Sequence, residues 1–409
     1  MSAASTDDPC VARGSAGEVF RAFLALGLTS FGGPVAHLGY FREAFVRRRG
    51  WLDEARFAQL LALCQFLPGP ASSQMGMAIG LLRAGWRGAL AAFVAFTLPS
   101  ALLMFGFAAL APLLGEDIGA AVVHGLKLVA VAVVGHALLG MARQLAPDLP
   151  RALLAIGAMA LLLRGGHAAL QLLAIALGGL AGLWLCRAVA VPAPLRLRLR
   201  YGARVGAICL ALFALGLAAA LLWPSSPEPT PGALAAAFYR AGALVFGGGH
   251  VVLPLLQQSV VAPGWVSADA FLTGYGAAQA LPGPMFSLAA FLGAEVPLGL
   301  PAVVGALLAL LALFLPGVLL LLAALPMWTR LVRHPRAAAA MAGINAAVVG
   351  LLAAALVTPV LAEGVRSPAD AAIALVALAL LAFARLSALW IVLGCVAAAV
   401  ALAAPGATG

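Results

Sequence analysis

Charge is what this chain has least of. Of 409 residues only 9% are Asp, Glu, Lys or Arg, against roughly 25% in an ordinary soluble domain. Such a chain has too little polar surface to face water all round. Lysine is almost missing: Lys127 is the single example, and every other basic residue is arginine. The five cysteines (Cys10, Cys64, Cys186, Cys209, Cys395) show no CxxC or zinc-ligand spacing and read as small buried apolar residues. There is no HExxH, no GxSxG, no carboxylate pair within an apolar run and no metal-ligand cluster. These absences exclude the familiar enzyme constellations, and no cofactor or metal is expected. Scarcity of carboxylates in the apolar runs also argues against a cation carrier. The first 17 residues lack a basic region followed by an apolar stretch, so no cleavable signal peptide is expected. The formal net charge is +10, but the arginines fall in short clusters between apolar runs. That is the positive-inside pattern of a membrane protein and not a nucleic-acid surface.

What the chain has is 64% hydrophobic residues, in runs long enough to span a bilayer from residue 88 to residue 405. It also repeats itself. Phe23, Gly27 and Phe31-Gly32-Gly33 recur at identical spacing as Phe238, Gly242 and Phe246-Gly247-Gly248. Trp51, Phe57, Gln65 and Pro68-Gly69-Pro70 return as Trp265, Phe271, Gln279 and Pro282-Gly283-Pro284, and Pro99 returns as Pro316. Shared apolar composition would match Ala and Leu loosely; it would not match Trp, Gln and Pro.

Spans are expected near 88–111, 120–142, 151–163, 167–187 and 203–223, then 299–325, 339–361, 369–384 and 386–405. Loops holding Arg143 and Arg151, then Arg187, Arg196, Arg198, Arg200 and Arg204, then Arg330, Arg333 and Arg336 belong in the cytoplasm. Loops holding Glu116-Asp117, Glu228 and Glu363 belong outside, and the N-terminus is cytoplasmic. The extra span at 203–223 is followed by a stiff Pro-rich linker and turns the second half upside down relative to the first. The fold class expected is therefore an all-α polytopic membrane protein. Its two homologous halves form an inverted-topology repeat joined by an extra transmembrane helix. The divisions are a tail at 1–18, a first repeat at 19–187, a basic loop, helix and linker at 188–232, and a second repeat at 233–405. Segments 19–39, 57–83, 233–256 and 271–296 are each interrupted by Gly or Pro, and each half's pair of them either crosses twice or dips in and returns, giving about 13 or about nine crossings. Charge balance in the 41–56 loop favours re-entry for the first pair.

Chemistry is expected at the breaks. Pro-Gly-Pro ends one helix and starts another, and a helix starting at membrane depth points free N–H groups and a positive dipole end at whatever fills the break. Candidate anion contacts are Gly32, Gly33, Gln65, Pro68, Gly69, Pro70, Ser72 and Ser73 in the first half. The second half contributes Gly247, Gly248, His250, Gln279, Pro282, Gly283 and Pro284. Gly247-Gly248-Gly249-His250 lacks the Lys of a phosphate loop; packing through small residues is its plainer reading. Lys127, with Asn345 as its uncharged counterpart, could balance the anion's charge. Arg21 and Arg240 read as interfacial anchors.

The segments Ser30–Pro34, His37–Phe41 and Cys64–Gln74, with Phe246–Pro254 and Gly274–Pro284, resemble the long, two-domain form of the chromate ion transporter family, along essentially the whole chain. The resemblance implies efflux of chromate across the bacterial inner membrane, driven by an ion gradient or membrane potential and conferring resistance. It also implies sulfate, the isostructural dianion, as a competitor. Lipid is the other partner, and a homo-oligomer is compatible with the sequence. A carrier of sulfate or another tetrahedral oxyanion is the alternative, and a membrane-embedded anion-processing enzyme a remote one. Replacing Pro68 or Gly69 by leucine is expected to abolish chromate resistance while leaving expression intact. Full resistance in a well-expressed variant would remove the breaks from the mechanism.

Overall fold

The computed structural model describes residues 14–110, 116–165, 168–186, 201–224, 226–328, 335–384 and 386–403. The first 13 residues, residues 187–200 of the basic loop with Arg187, Arg196, Arg198 and Arg200, and Arg330 and Arg333 lie outside them. Among the described residues all regular structure is helical. In hydrocarbon every backbone polar group must be satisfied within the protein, and helices do this locally.

The first half opens with α1 (Ala16–Thr29) and α2 (Gly33–Arg42), the latter extended by a π turn at Glu43–Arg48. Then come α3 (Glu54–Phe66) and α4 (Ala71–Leu110), which folds sharply at Ala84-Gly85. The half is completed by α5 (Glu116–Leu145), α6 (Leu149–Arg164) and α7 (Ala168–Leu185). A single helix, α8 (Ala203–Leu222), leads across to the second half. There α9 (Pro231–Ala243), α10 (Val252–Leu256, with a π turn at Gln257–Val261), α11 (Ala268–Ala280), α12 (Leu288–Glu295) and α13 (Ala302–Ala324) repeat α1 to α4. The chain ends with α14 (Pro335–Gly364), α15 (Pro368–Ala384) and α16 (Ala388–Ala403).

The interrupted segments fold back on themselves as helical hairpins, the geometry that re-entry requires. Phe23 on α1 stacks on Phe45 beyond the Gly32-Gly33 break, at 4.8 Å between ring centroids, and meets Phe41 at 5.5 Å. Two arms can touch on both sides of a break only if the chain turns back. Their far ends also meet at one face: the Gly14 amide donates to the Arg83 carbonyl, Arg83 pairs with Glu18 at 3.1 Å, and its guanidinium lies over Trp51. In the second half a Cβ on Gly274 would lie 2.4 Å from the Phe291 ring, so α11 and α12 run side by side. Trp265 donates from its indole to the carbonyls of Ser226 and Pro227, bringing the end of that half's first hairpin back beside its start. Among the described residues five helices are long and apolar enough to cross a membrane, α4, α5, α8, α13 and α14, while α7, α12, α15 and α16 are shorter apolar helices.

Glycine sets the close packing, as it must where lipid supplies no hydrophobic drive between helices. A Cβ at the repeated Gly27 would come 2.8 Å from the Ala95 carbonyl oxygen, and at Gly242 2.0 Å from that of Leu313. The two hairpin turns match as well: a Cβ at Gly80 would strike the Gly88 carbonyl oxygen at 2.3 Å, and one at Gly293 that of Gly305 at 2.3 Å. The halves also exchange helices. First-half α5 packs on second-half α15 and α16, and second-half α14 packs on α6 and α7. By contrast α8 is peripheral, exposing Ile208, Leu212, Leu215 and Leu222.

Chain tracing gives two faces of opposite character. One carries Arg42, Arg47, Arg48, Arg49, Arg56, Arg83, Arg87, Arg143, Arg151, Arg204 and Arg336 against Glu18, Glu43, Asp53, Glu54 and Asp148; the other carries Glu228, Asp269, Glu295, Glu363 and Asp370 against Arg164 and Arg366. In a cysteine-free background, R49C and R87C should react with a membrane-impermeant maleimide from one side. E228C and A262C should react from the other. Opposite sidedness for Arg49 and Arg87 would mean that the first two hairpins span.

Candidate functional site

The two Pro-Gly-Pro breaks meet the opposite half by the same set of contacts. The Gly69 amide donates to the Val245 carbonyl at 2.7 Å, and the Gly283 amide donates to the Ser30 carbonyl at 3.0 Å. Val245 and Ser30 are equivalent positions, each two residues before the first glycine of its half's motif. Each break also rests on the residue after the other half's mid-helix proline. A Cβ on Gly69 would sit 2.9 Å from the Gly317 Cα, and one on Gly283 would sit 2.9 Å from the Ser100 Oγ. Both glycines have left-handed backbone, with φ of 117° and 96°, so space and conformation both demand the missing side chain. Leucine at Gly69 would therefore disturb folding itself, and Pro68→Leu is the substitution that tests the break with expression intact. The two breaks thus meet the opposite halves in a pseudo-twofold crossing.

Side chains complete it unequally. Gln74 donates from Nε2 to the Pro68 carbonyl at 2.9 Å and to the Gly317 carbonyl at 3.0 Å; two carbonyl partners fix which end of the amide is nitrogen. His37 Nε2 lies 3.2 Å from the Ser30 carbonyl, which can only accept, so that nitrogen carries the hydrogen. Ser72 and Ser73 are buried in the first turn of α4, where the amides of Ala71, Ser72 and Ser73 have no helical carbonyl to bond. Ser30 Oγ, Ser73 Oγ, Thr97 Oγ1, Gln74 Oε1 and His37 Nδ1 are buried without a hydrogen-bond partner. Such atoms are rare and mark places where water or a ligand belongs.

The other predicted residues distribute as follows. Gly32 and Gly33 form the turn into α2 with positive φ, as Gly247 and Gly248 do before His250. Pro68 is half-buried, while Pro70, Pro282 and Pro284 are buried at the crossing. His250 Nδ1 and the Tyr275 hydroxyl share a 2.7 Å hydrogen bond. The repeated glutamines part company: Gln65 is exposed, whereas Gln279 is buried with its amide 3.2 Å from Met285 Sδ. Asn345, on α14, lies by the second glycine motif, its Oδ1 3.4 Å from where a Gly247 Cβ would stand and without a partner.

Lys127 is not at the crossing. It is 2% exposed and its ammonium bonds the carboxylate of Asp269, at the start of α11 and half open to solvent. Arg366 lies 3.9 Å from the same carboxylate, and its backbone amide donates to Asp370, which pairs with His124 at 2.7 Å. This ionic network ties α5 of the first half to α11 and α15 of the second at the acidic face. The sequence offers the Gln74 amide, at the helix restart after Pro70, as a donor to an oxyanion, whereas in the structure it is spent on the Pro68 and Gly317 carbonyls; the sequence gives no sign of the parts played by Asp269, Asp370 and Tyr275. Arg21 bonds its own helix at Gly17 and stays exposed, but Arg240 is half-buried between α9 and the π turn after α10.

A family model described as "Chromate transporter" matches residues 17–183 and again 232–400. A chromate transport protein of Cupriavidus metallidurans is 32% identical over 382 residues, covering 91% of this chain and 89% of the relative. That of Pseudomonas aeruginosa is 30% identical over 348 residues, 82% of this chain and 79% of the relative. A probable chromate transport protein of Synechococcus elongatus is 29% identical over 348 residues. No solved structure gives a significant match.

Gln74→Leu strips the donor from two buried carbonyls and should cost about 1–3 kcal/mol, read as a lowered thermal midpoint in detergent. Gln65→Leu should shift stability by less than about 0.5 kcal/mol. Equal effects would mean that the Gln74 bonds do not hold the crossing.

Proposed function

Because the chain belongs to the chromate transporter family, we propose that it is a secondary active carrier that exports chromate from the cytoplasm across the bacterial inner membrane. On this reading it confers chromate resistance, and sulfate competes for the same path. The observation that carries the proposal is the crossing: two inverted halves, each closing its break with the other's backbone. Inverted repeats that meet at mid-membrane suit a carrier in which one half rocks against the other around a fixed site.

The anion site is placed beside the crossing and not on the break glycines themselves, whose amides are already bonded. Donors there are the first-turn amides of α4, the hydroxyls of Ser30, Ser72, Ser73 and Thr97, and the glycine turns at Gly32-Gly33 and Gly247-Gly248. Gln65, Gln279 and His250 are reserve donors, reached as the halves move. The exposed Gln65 and buried Gln279 support this, since one conformation of an inverted-repeat carrier holds its two halves in different states. Lys127 would reach a dianion only by letting go of Asp269, so that anion arrival and release of the ionic network become one event. The repeats are taken as 19–187 and 233–405, with 188–232 as connector and 1–18 as a cytoplasmic tail. The arginine-rich face is assigned to the cytoplasm by the positive-inside rule.

Nothing in this donor set distinguishes chromate from sulfate by shape or charge. Uptake of labelled chromate by everted membrane vesicles, with and without excess sulfate, therefore decides the substrate. Energy-dependent accumulation suppressed by sulfate is the expected outcome. Movement of sulfate alone would keep the carrier and discard chromate, and accumulation only in right-side-out vesicles would reverse the direction.

A further inference from the structure

The second half holds an intramembrane arginine that the crossing does not use. Arg240 is the tenth residue of α9, about 14 Å along the helix from the acidic face. Its one hydrogen bond among the described residues is a long one, 3.5 Å to the Ala220 carbonyl in the last turn of α8. No carboxylate lies within ion-pair distance of it among the described residues. The first half has Ala25 in the equivalent place, so the charge is not part of the repeat. A cation at this depth without a counter-charge is costly.

Arg240 lines two adjoining cavities. The outer, of about 300 Å³, is bounded by Trp223, Pro224, Ser226, Gln258, Ser259 and Trp265. The inner, of about 20 Å³, shares Arg240, Gln258 and Ser259 and reaches Gln171 and Leu244. Leu244 directly precedes Val245, whose carbonyl holds the Gly69 amide. The outer wall is fixed: the Trp265 indole is bonded to the linker carbonyls, and Gly232 lies within contact of the Trp223 ring. Its polar lining around Arg240 is the Gln258 amide and the hydroxyls of Ser226 and Ser259, the latter donating to the Leu255 carbonyl, with no acidic group. Space for one or two waters beneath the guanidinium is too little for a tetrahedral anion.

We propose that the cavity around Arg240, Gln258 and Ser259 is a second, outer binding site for a tetrahedral oxyanion. It is reached from the acidic face and closed off from the crossing in this conformation. The guanidinium supplies charge and a planar fork of donors for two oxygens of the anion; Gln258 adds an amide donor. The site takes its ligand class from the proposed function, but its occupancy is measured without transport, so the two can fail separately. A purely structural Arg240, serving only the carbonyl end of α8, would affect stability and leave anion affinity alone.

Trp223 and Trp265 in the wall provide the readout. Sulfate, which does not absorb at the wavelengths used, is titrated into the purified protein against chloride at matched ionic strength, with W223F and W265F identifying the source of the fluorescence change. A saturable change is expected, weakened at least tenfold in R240Q and partly restored in R240K. Wild-type affinity in R240Q, or no saturable change in the wild type, overturns the proposal. Should R240Q fail to fold, Q258C in a cysteine-free background keeps Arg240 in place. An anionic methanethiosulfonate should then modify it faster than a cationic one, and sulfate should slow the anionic reagent. Equal rates with no sulfate protection would likewise overturn it.

Discussion

A backbone amide in hydrocarbon must find an acceptor, and this molecule answers that demand across its two halves. Proline on either side of Gly69 and of Gly283 strips the helices of their own ladder at mid-depth. The amide that remains is satisfied by a carbonyl two residues ahead of the opposite half's glycine turn. Much else follows from that exchange. Gly317 and Ser100 must be small because a break lies on them, and Gly27 and Gly242 must be glycine because the helices carrying those carbonyls press against the long arms behind. The usual cost of an unsatisfied buried amide, about 1–3 kcal/mol, is avoided twice by contacts neither half could make alone.

A repeated sequence does not make identical halves, and the differences fall where chemistry would need them. Lys127 and Asn345 occupy matching helices, yet one is charged and tied to Asp269 while the other is neutral and beside a glycine turn. Gln74 bridges the halves; the residue in its place in the second copy is Leu288, which is buried and apolar. Arg240 stands opposite Ala25. The shared residues are those that turn and close the backbone, whereas the unshared ones carry charge and hydrogen-bonding capacity.

That division explains how much could be seen in the sequence. The breaks, the two halves and the long apolar helices were legible because Pro, Gly and Trp at fixed spacing report local backbone demands, and long uncharged runs report helices that can cross a bilayer. Re-entry was only favoured, since the Phe23–Phe45 stack that demonstrates it joins residues on either side of a break. The partners were not legible at all: nothing local says that Gly69 answers Val245, or that Gln74 reaches Gly317, 243 positions away. Lys127 looked free because its carboxylate sits 142 positions further on. Arg240 looked like an anchor because depth measured along a helix does not reveal a cavity beside it.

The reciprocal closure also has a consequence in time. Val245 leaves the ribosome roughly 180 residues after Gly69, an interval of roughly 10–35 s at ordinary synthesis rates. Throughout it the first half sits in the bilayer with its central amide unanswered and its α5 without α15 and α16. The nascent chain passes that interval with its first break open, and the acceptor that closes it arrives just after α9.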